Sequence, residues 1–285
     1  MPVHERGYTH WNPSGARVDP PWLVIARRGL LAPLKNRWML MLLFGALVPA
    51  IVKAAIVFFK AKAGQFMDLA VGGEWTSVTP AGFLSFVEHQ RFFVFLITVI
   101  VGAGLIARDK RDNGLSLYFS RPISLLDYLG GKTLVVLAAY AAVTLLPSLL
   151  LCLFAYLVDP TAAGLDLLLL TPLRLAVISI FTGVGLSLVL LALSSLGTRT
   201  VLVVVWWAVL CLGGEAIGNL GDGIGLDSFQ YVNFLGHWHN ASSLLMSAPA
   251  RLPVPPAASL LICLASIAGS LAILRRQIKP VEVVV

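Results

Sequence analysis

Six apolar runs, most of them near or beyond the length of a bilayer crossing, recur along this chain and decide what it can fold into. A helix needs about 20 apolar residues to cross the hydrocarbon core. The runs are Trp38–Phe59, Phe92–Ala107, Thr133–Val158, Leu173–Leu196, Thr200 to about Leu220, and Ala257–Leu274. The second is short and gains length only by carrying Glu88, His89 and Arg91 into the interface. Charged residues make up 12% of the 285 residues, about half the share in a soluble domain. A soluble fold of this length lacks the polar surface it would need. A membrane β-barrel would show ten-residue alternating segments instead.

The Lys and Arg residues set the orientation. With the N-terminus inside, 15 of the 21 fall in residues 1–37, residues 108–132, Arg199 and the tail. Lys53, Lys60, Lys62, Arg91, Arg174 and Arg251 fall on the other side or in the outer parts of the spans. The positive-inside bias therefore places both termini in the cytoplasm. Lys53, near the outer end of its span, is expected to snorkel. The polar start MPVHERGYTHWNPSG carries no signal-peptide pattern.

The expected fold is all-α: a polytopic membrane protein with six transmembrane helices. Residues 1–37 form a cytoplasmic N-terminus, 38–274 the transmembrane domain, and 275–285 a cytoplasmic tail. Within Pro20–Pro33, Trp22, Leu23, Ile25, Leu30 and Leu31 can face the membrane while Arg27 and Arg28 stay wet. That pattern predicts an amphipathic interfacial helix. Two outer segments, 60–91 and 213–256, must lie at the interface or against protein, because irregular backbone cannot face lipid. The first should contain short amphipathic helices at the outer surface.

Between the second and third runs lies RDKRDNGLSLYFSRPISLLDYLGGK, residues 108–132. Its mixed cluster, Arg108, Asp109, Lys110, Arg111 and Asp112, suits a helix exit at the headgroup layer. Asn113-Gly114 signals a turn. Leu115–Phe119 is a short apolar helix, Ser120-Arg121-Pro122 breaks it, and Ser124 is a candidate N-cap for a second short helix, Leu125–Leu129. Gly130-Gly131 is expected to turn the chain back, with Lys132 at the foot of the third span. Such a segment is either a lever gripped by a partner or a plain re-entry loop at the headgroups.

With Gly104 upstream, this segment resembles the cytoplasmic signature of type 2 ABC transporter permeases. Asp109, Arg111, Gly114, Leu117, Ser120, Arg121, Pro122, Ser124, Gly131 and Lys132 carry the resemblance, and the six-span layout extends it over nearly the whole chain. In character the chain is similar to the permease of the nitrous oxide reductase copper-site maturation system. It departs at Leu115, where threonine is usual, at Leu125 or Leu126, where arginine is often found, and in the charged cluster, which has aspartates where glutamate is often found. The resemblance implies a homodimer bound to two copies of an ABC-type ATPase subunit, with ATP and Mg held by that subunit. It implies a bacterial inner-membrane location and leans towards export. The coupling residues would be Arg108, Asp109, Arg111, Asp112, Gly114, Leu117, Phe119, Ser120, Arg121 and Pro122.

This chain is not expected to be the ATPase or to carry a cofactor. A phosphate loop ending at Gly131-Lys132-Thr133 would need glycine where Leu126 stands. Lys132 therefore reads as an interface charge.

Glu215, after Gly213-Gly214, is either a path or gate residue, paired with a base such as Arg174, or simply solvated. Arg174 itself suits an interface anchor or a substrate contact. Trp206 and Trp207 lie deep in their run, where they either line a path or pack a helix interface. His237 and His239 flank Trp238; a contact surface for an extracytoplasmic partner suits them better than a metal site, which needs three or four ligands. Pro147 should kink the third span. Gly183 and Gly185 offer a small-residue face. Cys152, Cys211 and Cys263 lie inside apolar runs as small hydrophobes.

No convergent polar set appropriate to an intramembrane enzyme appears, and the basic residues flank apolar runs rather than forming a nucleic-acid footprint. Two alternatives remain beside the permease reading. One is a permease-like scaffold transmitting force to an extracytoplasmic partner. The other is an ion-coupled secondary transporter, which would bury coupling carboxylates near the midplane.

Overall fold

A computed structural model describes residues 19–63, 73–120 and 123–278. Six helical stretches within it are long and apolar enough to cross a membrane: 37–62, 91–111, 125–158, 166–195, 200–224 and 256–277. Each matches one of the runs read from the sequence. The protein is an all-α, six-span polytopic membrane protein.

Helix α1 (Pro21–Leu34) starts with Pro21 at its first position, where a missing N–H costs nothing. It packs along α7 (Leu125–Val143). Trp22, Leu23, Val24 and Leu31 stay exposed for the membrane surface. Ile25, expected among the membrane-facing residues, is instead buried against α7. The first span is α2 (Arg37–Ala63).

On the far side, α3 (Pro80–His89) begins at Thr79, whose hydroxyl accepts from the Gly82 N–H. This helix does not lie on the outer surface. Phe83, Leu84 and Phe86 are fully or nearly fully buried, because α3 plugs into the outer mouth of the bundle. Lys53 of α2 lies beneath it with 0% exposure and does not snorkel. Its ammonium donates to the Gly82 carbonyl at 2.6 Å and sits 4.7 Å from the centre of the Phe83 ring.

The second span is α4 (Arg91–Gly102), a four-residue turn, then α5 (Ala107–Arg111). A short helix, α6 (Gly114–Phe119), follows.

The third span differs from expectation at its foot. Ser124 caps it as foreseen, in a reciprocal box with Asp127. There is no separate Leu125–Leu129 helix and no turn at Gly130-Gly131: α7 runs straight through both glycines to Val143. At Gly131 the missing side chain serves close packing, because a Cβ would come within 2.8 Å of Ile25 and of the Trp22 carbonyl on α1. Lys132 thus lies about two turns inside the helix. Where Pro147 is expected to kink the span, the helix is interrupted at Thr144, a turn residue of distorted helical backbone (φ −104°, ψ −60°) between α7 and α8 (Leu145–Val158).

Helix α9 (Pro160–Ser195) bends at Gly164, whose φ of 65° an L side chain would resist. From residue 166 it is the central span: 72% of its apolar window is buried, against 17% for the first span. The fifth span is α10 (Thr200–Ala208), a wide π-turn over Val209–Gly213, and α11 (Gly214–Ile224). The chain then folds back along α11 through a 3-10 turn, Asp227–Val232, before α12 (Phe234–Met246) and the last span, α13 (Pro256–Gln277). Gly185 of α9 receives the Trp238 ring, which a Cβ there would meet at 1.9 Å.

Candidate functional site

Polar chemistry gathers at the two ends of the bundle. On the basic side, the turn between α4 and α5 leaves backbone groups without helical partners. Ser194 of α9 supplies them: its hydroxyl accepts from the Ile106 and Ala107 amides at 3.2 and 3.0 Å and donates to the Ala103 carbonyl at 2.8 Å. Lys110 of α5 donates to the Ser195 carbonyl and to Gln277 of α13. The helix exit is thereby tied to the fourth and sixth spans.

Asp109 faces inward from the same exit. Its carboxylate accepts the Tyr128 hydroxyl at 2.7 Å and pairs with the Lys132 ammonium at 2.8 Å. Lys132 also donates to the Leu105 carbonyl at 3.0 Å and lies under the rings of Tyr118 and Tyr128. Those rings meet edge to face at 5.2 Å. One carboxylate, one ammonium and two phenols thus lock α5, α6 and α7 together.

Other residues of the segment point outward. Arg111 pairs with its neighbour Asp112 in solvent, where the guanidinium holds the Asp112 carboxyl below its ordinary range. Asn113 takes a left-handed φ of 53° ahead of Gly114, the first residue of α6. Leu117 is 68% exposed at the middle of α6, and Leu126 is exposed nearby. Arg108 begins the cluster within α5, Phe119 ends α6, and Ser120 closes it by donating to the Leu117 carbonyl. Arg121 and Pro122 lie outside the described residues.

At the opposite end, five charged or titratable side chains from different elements converge. Arg91, at the start of α4, contacts Glu215 at 2.9 Å and Glu88 at 3.0 Å. Arg251, on the connection before α13, pairs with both Glu88 and Glu215. His239 of α12 stands 3.5 Å from Glu88. Glu215 reaches this site because the π-turn carries the fifth span past Leu212 as continuous helix. Its partners are Arg91 and Arg251 rather than Arg174, which lies half-exposed on α9.

The cluster separates two cavities. An outer one of about 320 Å³ is lined by the four ion-paired residues together with Phe92, Phe95, Leu212 and Leu235. A small inner one of about 50 Å³ is bounded by Arg91, His239, Tyr140, Thr182, Trp238 and Ser242. Burial, reinforced by the positive Arg91, pushes the His239 imidazole down to about 4. Glu88 does little to oppose this, since both guanidiniums already occupy it.

His237 and His239 do not form an outward contact surface. His237 and Trp238 are almost fully buried, and both ring nitrogens of His237 are taken, by Ser259 at 3.0 Å and the Tyr231 carbonyl at 3.1 Å. Among the described residues no group of three His, Cys, Asp or Glu side chains could hold a metal ion. The tryptophan pair divides: Trp207 is buried and donates to Thr98 at 3.1 Å, while Trp206 is 61% exposed on the apolar flank.

Glu88, Arg251 and the partnering of Lys132 were not among the candidate site residues of the sequence. Glu88 and Arg251 were readable there only as flanking charges. The chain matches no protein-family model and no curated protein.

Proposed function

We propose that this protein is the permease subunit of an ATP-driven ABC transporter, most similar to the type 2 group, seated in a bacterial inner membrane and working as an exporter. The observation that carries this reading is the short helix α6. It hangs on the basic side between the second and third spans, with Leu117 exposed and its root fixed by Asp109, Lys132, Tyr128 and Tyr118. Force applied to α6 would pass through that lock into α4 and α7, and through Ser194 into the central span α9.

On this reading a separate ATPase subunit, two copies per complex, binds ATP and Mg and performs the hydrolysis. Leu117 fills a groove on it, with Arg108, Arg111 and Asp112 forming a charged rim. Two copies of the permease meet through the apolar flank where α2 and α10 both pack beside α4, exposing Phe44, Phe92 and Trp206. In that arrangement Trp206 would face the subunit interface. Glu215, with Arg91, would act as the extracytoplasmic gate.

The test is copurification in mild detergent. The wild-type chain should recover a nucleotide-binding protein in equal copy number, and Leu117→Asp should lose it while inserting normally. Recovery of the wild-type chain alone, repeated across detergents, would overturn the reading.

A second reading has one observation in its favour. The 3-10 turn on the outer side exposes Tyr231 and Val232, an apolar surface that an extracytoplasmic protein could cover. In that case the same permease-like frame would transmit force to a partner instead of passing a solute. A Tyr231→Ser/Val232→Ser variant that loses an outer partner while transport persists would separate the two.

A further inference from the structure

Between α1 and the coupling segment lies an open cavity of about 440 Å³. Its walls are Val24, Ile25 and Gly29 of α1, Leu117 and Tyr118 of α6, and Ile123 beyond. Among the described residues its charged lining residues are Arg28 and Lys132, and no lining residue among them is a carboxylate. Lys132 is engaged by Asp109 and Leu105. Arg28 is exposed, and among the described residues it has no ion-pair partner. The α1 N-terminus, marked by Pro21, also opens onto this space, adding the positive end of a helix dipole. The cavity lies at the level of α1, whose exposed Trp22, Leu23 and Leu31 suit the boundary between headgroups and acyl chains.

We propose that this cavity is a binding site for an anionic phospholipid. The phosphate sits against the Arg28 guanidinium with Lys132 and the α1 N-terminus behind it, and an acyl chain lies along Val24 and Ile25 of α1. Two features favour a lipid over a soluble phosphate compound. The walls other than the cations and the Tyr118 phenol are apolar, and the site lies beside the exposed apolar face of α1, Trp22, Leu23 and Val24. Two features favour an anionic lipid over a zwitterionic one. Among the described residues the lining holds no acidic group to receive a choline or ethanolamine cation, and the Arg28 charge, unlike that of Lys132, is not neutralised by a paired carboxylate. Bound there, the lipid bridges α1 to α6, so the position of α6 depends on membrane composition. The assignment rests on the cavity and its charges and stands whether or not an ATPase docks below.

The experiment compares the full chain in nanodiscs of dioleoyl phosphatidylcholine alone with nanodiscs in which one-fifth of the lipid is dioleoyl phosphatidylglycerol. Lipid retained on the protein is measured by native mass spectrometry and stability by thermal unfolding. The wild type should retain phosphatidylglycerol selectively and unfold at a higher temperature with it. Arg27→Gln provides the control: Arg27 is exposed on the same helix but outside the cavity lining. Diffuse surface attraction is worth about fivefold per cation, so it would weaken retention equally in Arg27→Gln and Arg28→Gln. A built site predicts that Arg28→Gln loses at least tenfold and the thermal gain, while Arg27→Gln loses at most fivefold and keeps the gain. Equal losses, or no selectivity in the wild type, would overturn the proposal. Stabilisation by soluble glycerol phosphate to the same extent would also overturn it in favour of a soluble ligand. Selectivity lost only when an ATPase is bound would identify the cavity as part of that protein's seat instead.

Discussion

The Lys132 ammonium lies 2.8 Å from the Asp109 carboxylate, joining the foot of the third span to the exit of the second. Both side chains are mostly shielded, at 8% and 20% exposure. Removing one partner strands the other in a poorly solvated place, which costs about 3 kcal/mol for a buried pair. Asp109→Ala should therefore lower the unfolding temperature and release α6, so that trypsin cuts faster at Lys110 and Arg111. The double variant Asp109→Ala/Lys132→Met leaves no orphaned charge and should recover part of the loss. If the double variant is as unstable as the sum of the singles, the two residues are not coupled.

Ser194 serves three backbone groups of the turn between α4 and α5 with a single hydroxyl. A buried donor left without an acceptor costs about 1–3 kcal/mol. Ser194→Ala orphans two amides at membrane depth, so a loss of about 2–4 kcal/mol is expected. Ser194→Thr keeps the hydroxyl and should lose much less if the added methyl fits. Hydrogen exchange at Ile106 and Ala107 is the direct measurement; unchanged protection in the alanine variant would show that water replaces the hydroxyl.

The two ends of the bundle differ in how much of them could be read in the sequence. Spans announce themselves by length and hydropathy, and the Ser124 cap by its place just after the Ser120-Arg121-Pro122 break. The glycine pair at 130–131 reads as a turn, because sequence does not distinguish a glycine that turns the chain from one that lets a neighbouring helix approach. Only the placement of α1 against Gly131 decides that. Glu215 stood out as an acid beside an apolar run, but its partners lie 124 and 36 residues away. Such pairings depend on tertiary placement, and Glu88 and His239 entered the cluster only through it. The burial of Lys53 was hidden for the same reason: its acceptor is a backbone carbonyl, which no sequence pattern marks.

His239 gives the outer cluster a pH dependence of definite sign. Its folded-state value of about 4 lies below the ordinary 6.5 because burial disfavours the imidazolium, with Arg91 adding to the effect. Between these values the unfolded chain binds the proton more readily than the folded one. Stability from this residue is therefore complete above about pH 6.5 and declines as the pH falls towards 4. The full effect is about 3 kcal/mol. His239→Gln should flatten the fall in unfolding temperature between pH 6.5 and 4. An undiminished acid slope in that variant would assign the titration to another group.

Lys53 tests whether the buried ammonium or merely its bulk holds α3 in place. The side chain is fully enclosed, with the Gly82 carbonyl as its hydrogen-bond acceptor and the Phe83 and Phe86 rings about its head. Burying a charge is expensive even when one hydrogen bond is made. Lys53→Met keeps most of the volume and removes the desolvation cost, so its stability should equal or exceed that of the wild type. Lys53→Ala leaves a cavity beneath α3 and should lose about 2–4 kcal/mol, as large-to-small changes in a packed interior do. The order methionine, lysine, alanine in thermal unfolding would show that shape supports α3. A methionine variant as unstable as the alanine variant would instead show that the Gly82 hydrogen bond is what holds the outer plug in the bundle.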